Sequence, residues 1–253
     1  MLTQAIAILA VCASPVQEAP TTKQLIEKML LRYYNAKTVT GKIRLTVNAE
    51  GNSASLDTAV QYERPAKLYI FQQKDVANPE PGQPWKWLVT SDGNSFSYNV
   101  PNDRYPSAPT LRLAEPVMNP RLKFTHDIGT IYAASSKSIG DRSTPLDIAI
   151  AAKTDLAYRR GQWVNYAAIG EKEIGGQHAF LVGGSYRQAA GGPVMGTYQM
   201  AITAEGDLLQ YVEKSRFAIG NGGGTREVWI TSQWDVALAV NGAVNASLFK
   251  VIL

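Results

Sequence analysis

The sequence is dominated by short segments in which apolar and polar residues alternate, separated by turn-forming residues. Alternation with a period of two places successive side chains on opposite faces of a β-strand, and glycine-rich links of a few residues join antiparallel neighbours. We expect a meander of antiparallel strands with one apolar face. In the second half of the chain the links are IGGQ, QAAGGP, AEGD and GNGGGT, and the strands are predicted near 163–171, 177–186, 195–204, 208–218 and 226–236.

The first half repeats this pattern. Ile43, Leu45 and Val47 alternate with polar residues, NAEGNS supplies a turn, and a second strand follows near 55–63. WKWLVTS and NSFSYNV flank Asp-Gly, which is a strong hairpin signal. A further short strand is predicted around 111–117, after a proline-rich loop. The total is about eleven strands in one domain over residues 21–253, with no internal repeat.

The stretch QYERPAKLYI, residues 61–70, reads as a strand with a proline in its middle. Alternation puts Arg64 on the same face as Tyr62, Leu68 and Ile70, so a charge would lie among apolar neighbours. Pro65 lacks the N–H of a ladder hydrogen bond and fits an edge, a bulge or a bend. A buried arginine needs hydrogen-bond partners, and the sequence does not name them.

Two regions have helical rather than strand periodicity. After a linker at 14–20, Thr21-Thr22 can cap a helix that runs to about residue 35 with one apolar stripe. The second region is an insert at 127–160. There Ile128, Ile131 and Tyr132 have helical spacing, and Ser143 or Thr144 can cap a helix with Pro145 at its first position. We therefore expect two short helices midway through a β protein.

The first thirteen residues, MLTQAIAILAVCA, end in an apolar run from Ala5 to Ala13. Nine residues cannot span a bilayer, but they match the core of a signal peptide, with small residues before Ser14. We expect export with cleavage after Ala13, although no Lys or Arg precedes the run. Lipidation of Cys12 is the alternative. Cleavage would leave no cysteine, and hence no disulfide or thiol nucleophile. Nothing later in the sequence reaches transmembrane length.

The composition and motifs argue against several classes of function. Net charge is only +4, and no basic run exceeds Arg159-Arg160, which disfavours a nucleic-acid partner. The chain has two histidines and neither HExxH nor CxxC, so we expect no metal and no cofactor. His178 alternates with Phe180 as an ordinary strand residue. GNGGGT lies between strands, without a helix N-terminus to hold a phosphate.

No residue set demands catalysis. Gly183-Gly-Ser-Tyr resembles a nucleophile elbow, but Arg187 stands where the last glycine is required. Asp141, Asp147 and Asp155 lie in the helical insert, where capping and solvent-facing roles are usual; their spacing permits an acid–base pair without requiring one. We expect a protein that is not an enzyme.

What remains is an extended apolar face. Part of the concavity of such a sheet can stay unfilled and accept a lipid tail, as open barrels do, and the alternative is an ordinary filled core. The candidate ligand-binding residues are Ile43, Leu45, Val47, Tyr62, Leu68, Ile70, Trp87, Val89, Met200 and Ile202.

Two motifs together resemble a known family. YERPAKLYI and, about twenty residues later, LVTSDGNSFSYNVP are similar to the Arg-Pro strand and the Ser-Asp-Gly hairpin of the periplasmic outer-membrane lipoprotein carriers, the LolA/LolB-like superfamily. The helix at 22–35 followed by VTGKIRLTV fits the same order, and Leu248–Val251 is similar to the family's closing strand. The resemblance covers residues 21–100 and is vaguer beyond them.

The resemblance implies an open antiparallel β-barrel of about eleven strands, with an N-terminal helix and inserted helices acting as a lid. It further implies a monomer in a bacterial periplasm or envelope that shelters lipid or lipoprotein acyl chains. Arg64 would gate the lid by bonding the 127–160 insert. The large insert, the glycine-rich turns, Trp85 and Trp87 depart from the family pattern. The alternatives are an envelope protein–protein or sensor module without bound lipid, and a structural domain with a filled core.

Overall fold

The computed structural model describes residues 20–75, 86–100, 111–119, 123–136, 139–140, 143–150, 160–187, 191–221 and 224–251. The predicted signal peptide with Cys12, nearly all of the linker, and the proline-rich loop lie outside the described residues, as do Trp85, Asp141 and Asp155. Within the described part, no helix is long and apolar enough to cross a membrane.

The helices and strands follow the predicted order. The helices are α1 (Thr22–Tyr34), α2 (Ile128–Ala134) and α3 (Thr144–Ile150). The strands of the first half are β1 (Thr38–Ala49), β2 (Asn52–Glu63), β3 (Lys67–Asp75), β4 (Lys86–Asp92), β5 (Ser95–Val100), β6 (Leu111–Pro116), β7 (Met118–Asn119) and β8 (Phe124–Thr125). The strands of the second half are β9 (Trp163–Ile174), β10 (Gln177–Arg187), β11 (Val194–Ile202), β12 (Leu208–Asn221) and β13 (Gly224–Val240).

Eleven of these strands form one sheet in the order β6-β5-β4-β3-β2-β1-β13-β12-β11-β10-β9. Every neighbouring pair is antiparallel, and β1 joins the two halves by pairing with β13 from Val39↔Val240 to Ala49↔Ile230. The sheet is not closed, since β6 and β9 are its two edges. The expectation of an open antiparallel sheet of about eleven strands with an N-terminal helix is confirmed.

This topology explains where the helical insert lies. The chain leaves one edge at the end of β6 and re-enters at the opposite edge with β9, so residues 117–162 must pass from one side of the sheet to the other. On the way they form the small β7–β8 pair and then α2 and α3, and α3 contacts α1, β1 and β12 near the centre of the sheet. The insert therefore lies across one face.

The stretch QYERPAKLYI is not one strand. β2 ends at Glu63, β3 begins at Lys67, and these two residues face each other in the register, so Arg64, Pro65 and Ala66 form the turn between them. Pro65 lies outside the hydrogen-bonded ladder, so its missing N–H costs the sheet no hydrogen bond. Of the three positions expected for this proline, an edge, a bulge or a bend, the structure has the bend. Tyr62, Leu68 and Ile70 share one buried face as predicted, because the tight turn preserves the alternation.

α1 begins and packs as its sequence predicts. Thr21 and Gln24 form a reciprocal capping box, and the apolar stripe of Leu25, Ile26, Met29, Leu30 and Tyr33 is buried. Its polar side is fixed to the turn between β11 and β12, where Arg32 Nε lies 2.5 Å from Asp207 Oδ1. α1 is thus held at both its apolar and its polar face.

The C-terminal segment corrects one expectation. Residues Ala246–Phe249 form a 3₁₀ helix rather than a closing strand. Asn245 exchanges two backbone hydrogen bonds of 2.8 Å with the Gln61 side chain, and its own side chain caps the 3₁₀ helix by accepting from Ser247 N. Phe249 is buried and its helix contacts β3 and β4. Gln61 points away from Tyr62, so this segment covers the face opposite the helices.

Candidate functional site

The predicted ligand-binding residues lie on one face of the sheet, the face under the three helices. Nine of the ten have exposed fractions of only 0–9 %, Val47 is partly buried, and all ten belong to one apolar cluster. Their cross-strand pairing is direct, as in Tyr62↔Leu68 and Ile70↔Val89. The predicted shared face is confirmed. Their role in ligand binding remains a prediction.

The helices bury this face. Ile128, Gly129, Ile131 and Tyr132 of α2 are buried, as are all seven residues of α3. The apolar residues among them belong to the same cluster as the sheet, together with the buried stripe of α1; they are Ile128, Ile131, Tyr132, Leu146, Ile148, Ala149 and Ile150. We call residues 127–150, which contain α2 and α3, the cover. The two short helices expected in the insert are confirmed, with Ser143 as the cap whose Oγ accepts a hydrogen bond from Leu146 N at 3.2 Å.

The cover meets the sheet closely at Trp87. Gly140 lies flat on the indole: a Cβ built on it would come within 2.7 Å of Trp87 Cζ2 and 2.8 Å of Cδ2 and Cε2. Only a residue without a side chain fits this approach. On the same strand pair, Lys74 Nζ lies 5.6 Å from the Trp87 ring centroid. Trp87 is therefore a contact point between the sheet and the cover.

Three hydrogen bonds fix the cover. Tyr132 donates to Asp147 Oδ1 at 2.6 Å in a buried contact that joins α2 to α3. Thr144 donates to Glu213 Oε1 on β12 at 3.3 Å, and Ile128 N donates to Pro65 O at 2.8 Å. The first bond joins the two helices of the cover, and the other two attach the cover to β12 and to the turn at Pro65.

The face under the helices, the concave face of the open sheet, carries buried polar groups over β11 and β12. Tyr211 donates to Glu213 Oε1 at 2.8 Å and accepts from Trp163 Nε1 at 3.3 Å. Burial raises the pKa of Tyr211 well above its ordinary value, and the negative charge of Glu213 acts in the same direction. Tyr198, directly opposite Glu213, is 3 % exposed, and its hydroxyl has no hydrogen-bond partner among the described residues.

Among the described residues, the side chain of Arg64 bonds the segment that follows α1, and its bond to the 127–160 insert, which the family resemblance implies, stays a prediction. In the described part of the chain, its Nε donates to Ala36 O at 3.0 Å and its backbone N to Lys37 O at 2.9 Å. Its guanidinium carbon lies 5.3 Å from the Tyr62 ring centroid. Burial raises the pKa of Tyr62 to about 12, although the Arg64 charge opposes this. Arg64 therefore fastens the corner between α1 and β1, and its link to the cover runs through Pro65.

Sequence reasoning missed Gly140 and Glu213. The sequence around Gly140 gives no sign of this close contact, because Trp87, the residue that Gly140 contacts, is distant in the sequence. Glu213 carried a usable signal, because alternation between Tyr211 and Ser215 places a carboxylate on the apolar face. Like Arg64, Glu213 is a charged residue that alternation places among apolar neighbours.

The described residues hold no group of three or more His, Cys, Asp or Glu side chains that could bind a metal ion. His178 lies on β10 as the strand pattern predicted, half-exposed, with Nε2 at 3.0 Å from Glu171 Oε2. Asp147 is engaged within the cover rather than at the protein surface. The site is an apolar surface with a polar end.

No family model matches the chain, and no curated protein matches it. Among solved structures, lipoprotein LppX of Mycobacterium tuberculosis is 12 % identical at a TM-score of 0.41, covering 88 % of this chain and 96 % of that one. A LolA superfamily protein from Nitrosomonas europaea is 10 % identical at 0.29, covering 92 % and 98 %. The MucA/MucB complex of Pseudomonas aeruginosa is 8 % identical at 0.42, covering 90 % of this chain and 59 % of that one.

These likenesses are distant, with identities of 8–12 % and TM-scores of 0.29–0.42. The function proposed for the site therefore rests on the geometry of the site itself.

Proposed function

We propose that the protein is an exported, non-enzymatic carrier or binding protein that shelters acyl chains of a lipid or lipoprotein between the concave face and the cover. The observation that supports this most is that the apolar wall of an open sheet is buried beneath two seven-residue helices. The bacterial periplasm or envelope is the compartment that we propose with it.

The cover has the properties of a movable element. Helices of seven residues are not stable alone, so α2 and α3 persist through their contacts with the sheet and α1. Hydrogen bonds attach the described part of the cover to the rest of the protein at Pro65 and Glu213. The buried aliphatic side chains of the cover make apolar contacts, which an acyl chain can replace with little change in chemistry.

The free energies support exchange rather than irreversible binding. A chain of roughly 16 carbons gains about 12 kcal/mol on full burial, at about 0.8 kcal/mol per CH₂. The cover buries six aliphatic side chains, Ile128, Ile131, Ile139, Leu146, Ile148 and Ile150. At about 1.5–3 kcal/mol each, they contribute at most roughly 9–18 kcal/mol to the closed state. The free energy gained by burying the acyl chain is comparable to the free energy lost when the cover leaves the sheet, so the two offset each other on ligand entry.

Arg64 would influence this balance indirectly. It fixes the turn whose Pro65 carbonyl receives the first backbone N–H of α2. Loosening the turn would weaken the hydrogen bond between Pro65 O and Ile128 N, which attaches the cover. In this form the proposed gating role of Arg64 acts through the backbone.

The experiment is a search for bound lipid in the full-length protein, by native mass spectrometry after gentle purification and by extraction into organic solvent. We expect a co-purified acyl lipid, and affinities for a series of fatty acids that rise by about fourfold per CH₂ in the steep part of the series. A folded protein that carries no lipid and binds short and long acids equally would contradict the proposal.

The second candidate is a protein–protein interaction or sensor module on the same fold. The observation that favours it is edge strand β9, where nine consecutive residues, Asn165–Glu173, are exposed. A partner could add a strand there. Capture of one defined envelope protein by a lipid-free sample, abolished by Ala168→Pro, would favour this function over the carrier.

A further inference from the structure

The hairpin of β12 and β13 extends beyond its neighbours. β11 stops pairing with β12 at Gly196↔Ser215, and β1 stops pairing with β13 at Ala49↔Ile230. The hairpin itself continues from Arg216↔Trp229 to Asn221↔Gly224. Six residue pairs at about 3.4 Å per residue make a ribbon about 20 Å long. We call residues 216–229 the ribbon, and among the described residues its strands pair only with each other.

Large apolar side chains are exposed on this ribbon. Phe217 is 47 % exposed and Trp229 is 54 % exposed. They lie on opposite faces, because Phe217 pairs with Val228 while Trp229 pairs with Arg216. At the same end of the sheet, Val194 at the start of β11 is 53 % exposed. Exposed aromatic residues on a protruding element are typical of a contact surface.

The charges on and beside the ribbon are mainly basic. Residues 214–229 contain Lys214, Arg216 and Arg226 against Glu227, a net charge of 3 − 1 = +2, and residues 217–225, FAIGNGGGT, contain no charge. Arg216 pairs with Glu227 at 3.1 Å and Arg226 with Glu50 at 2.7 Å, through side chains that are 42–58 % exposed. Exposed pairs of this kind are weak, so the cations can exchange partners. Lys214 Nζ lies 5.6 Å from the Trp229 ring centroid.

We propose that the ribbon docks on the surface of an anionic phospholipid bilayer. Phe217 and Trp229 enter the boundary between headgroups and acyl chains, while Lys214, Arg216 and Arg226 contact headgroup phosphates. Tryptophan and basic side chains favour that boundary.

The arrangement of the two aromatic residues favours a bilayer over a folded protein partner. A rigid protein surface contacts one face of a two-stranded ribbon, which would leave either Phe217 or Trp229 in water. Val228, which pairs with Phe217, is 3 % exposed, so the protein covers part of that face, but a fluid bilayer can still contact both aromatic rings. The inference stands without the proposed carrier function, because it uses none of the residues under the cover.

The test is co-sedimentation of the full-length protein with vesicles of phosphatidylcholine containing about one third phosphatidylglycerol, and with phosphatidylcholine vesicles alone. We expect binding to the anionic vesicles that weakens with added salt. The double substitution Phe217→Ser, Trp229→Ser should weaken that binding at least tenfold. The matched control is Leu31→Ser, on α1, where Leu31 is 57 % exposed.

Circular dichroism and thermal unfolding of each variant establish that it is folded; if the double substitution unfolds the protein, Phe217→Ser alone is compared with Leu31→Ser. The proposal is overturned if the wild type does not bind anionic vesicles. It is equally overturned if folded ribbon variants bind like the wild type, or if Leu31→Ser weakens binding as much. A loss of vesicle binding with unchanged lipid content in the purified protein would leave the carrier function intact.

Discussion

The contact between Gly140 and Trp87 provides a direct perturbation of the cover. In Gly140→Ala the new methyl group would start 2.7–2.8 Å from three atoms of the indole, whereas favourable carbon–carbon contacts lie at about 3.5–4.0 Å. The backbone of Gly140 is not among those with a positive φ, so alanine adds no backbone strain. Relief requires the cover and Trp87 to separate by about 1 Å.

Overpacking of this kind costs about 1–3 kcal/mol. The strain exists only while the cover lies on the sheet, so it destabilises the closed state and not the ligand-bound state in which the cover has moved. As long as the closed state dominates, the apparent affinity for an acyl chain should rise by the same factor, roughly 5- to 150-fold. The free energy of unfolding should fall by a similar 1–3 kcal/mol.

The affinity is measured by titrating the protein with a fluorescent fatty acid, and the stability by urea unfolding. Gly242→Ala is the matched control, since its Cβ would meet Ala239 Cβ at an ordinary 3.4 Å. Unchanged or weaker ligand binding in a folded Gly140→Ala protein would refute a cover that competes with ligand.

Three further outcomes are expected. Arg64→Leu removes the bond to Ala36 O and should lower the free energy of unfolding by about 1–3 kcal/mol and speed ligand release; an unchanged release rate would make Arg64 purely structural. Tyr132→Phe removes the buried bond to Asp147 and should increase hydrogen exchange in α2 and α3 before the sheet, whereas uniform exchange would contradict a separable cover. Burial raises the pKa of Tyr62 from 10 to about 12, so the neutral Tyr62 side chain stabilises the fold fully below pH 10 and this stabilisation is lost as the pH rises toward 12. Between pH 10 and 12, the circular dichroism signal and the absorbance of ionised tyrosine should therefore change together.

The sequence predicted the strands well because their signal is local. Period-two alternation and turn residues lie within a few positions of each other, and β9 to β13 appear where the pattern placed them. The same holds for α1, whose capping box and apolar stripe are contiguous. The Arg-Pro turn was harder, since the alternation continues across it and hides the break between β2 and β3.

The site depended on information that is not local. Alternation identified the residues of the apolar wall, including Tyr62 and Ile70, because it fixes which side chains share a face. It could not show that Gly140 rests on Trp87 or that Arg64 bonds Ala36, since these contacts join residues that are 53 and 28 positions apart.

The sequence by itself determined an antiparallel sheet with one apolar face and a helical insert, through short-range patterns that survive in any arrangement of the strands. Only the tertiary structure decided that β1 pairs with β13 and that β6 and β9 become opposite edges. This strand order requires the insert to connect opposite edges of the sheet, and burial of its apolar side chains places α2 and α3 on the apolar face. The cover is thus a consequence of strand order, which single-residue preferences do not specify.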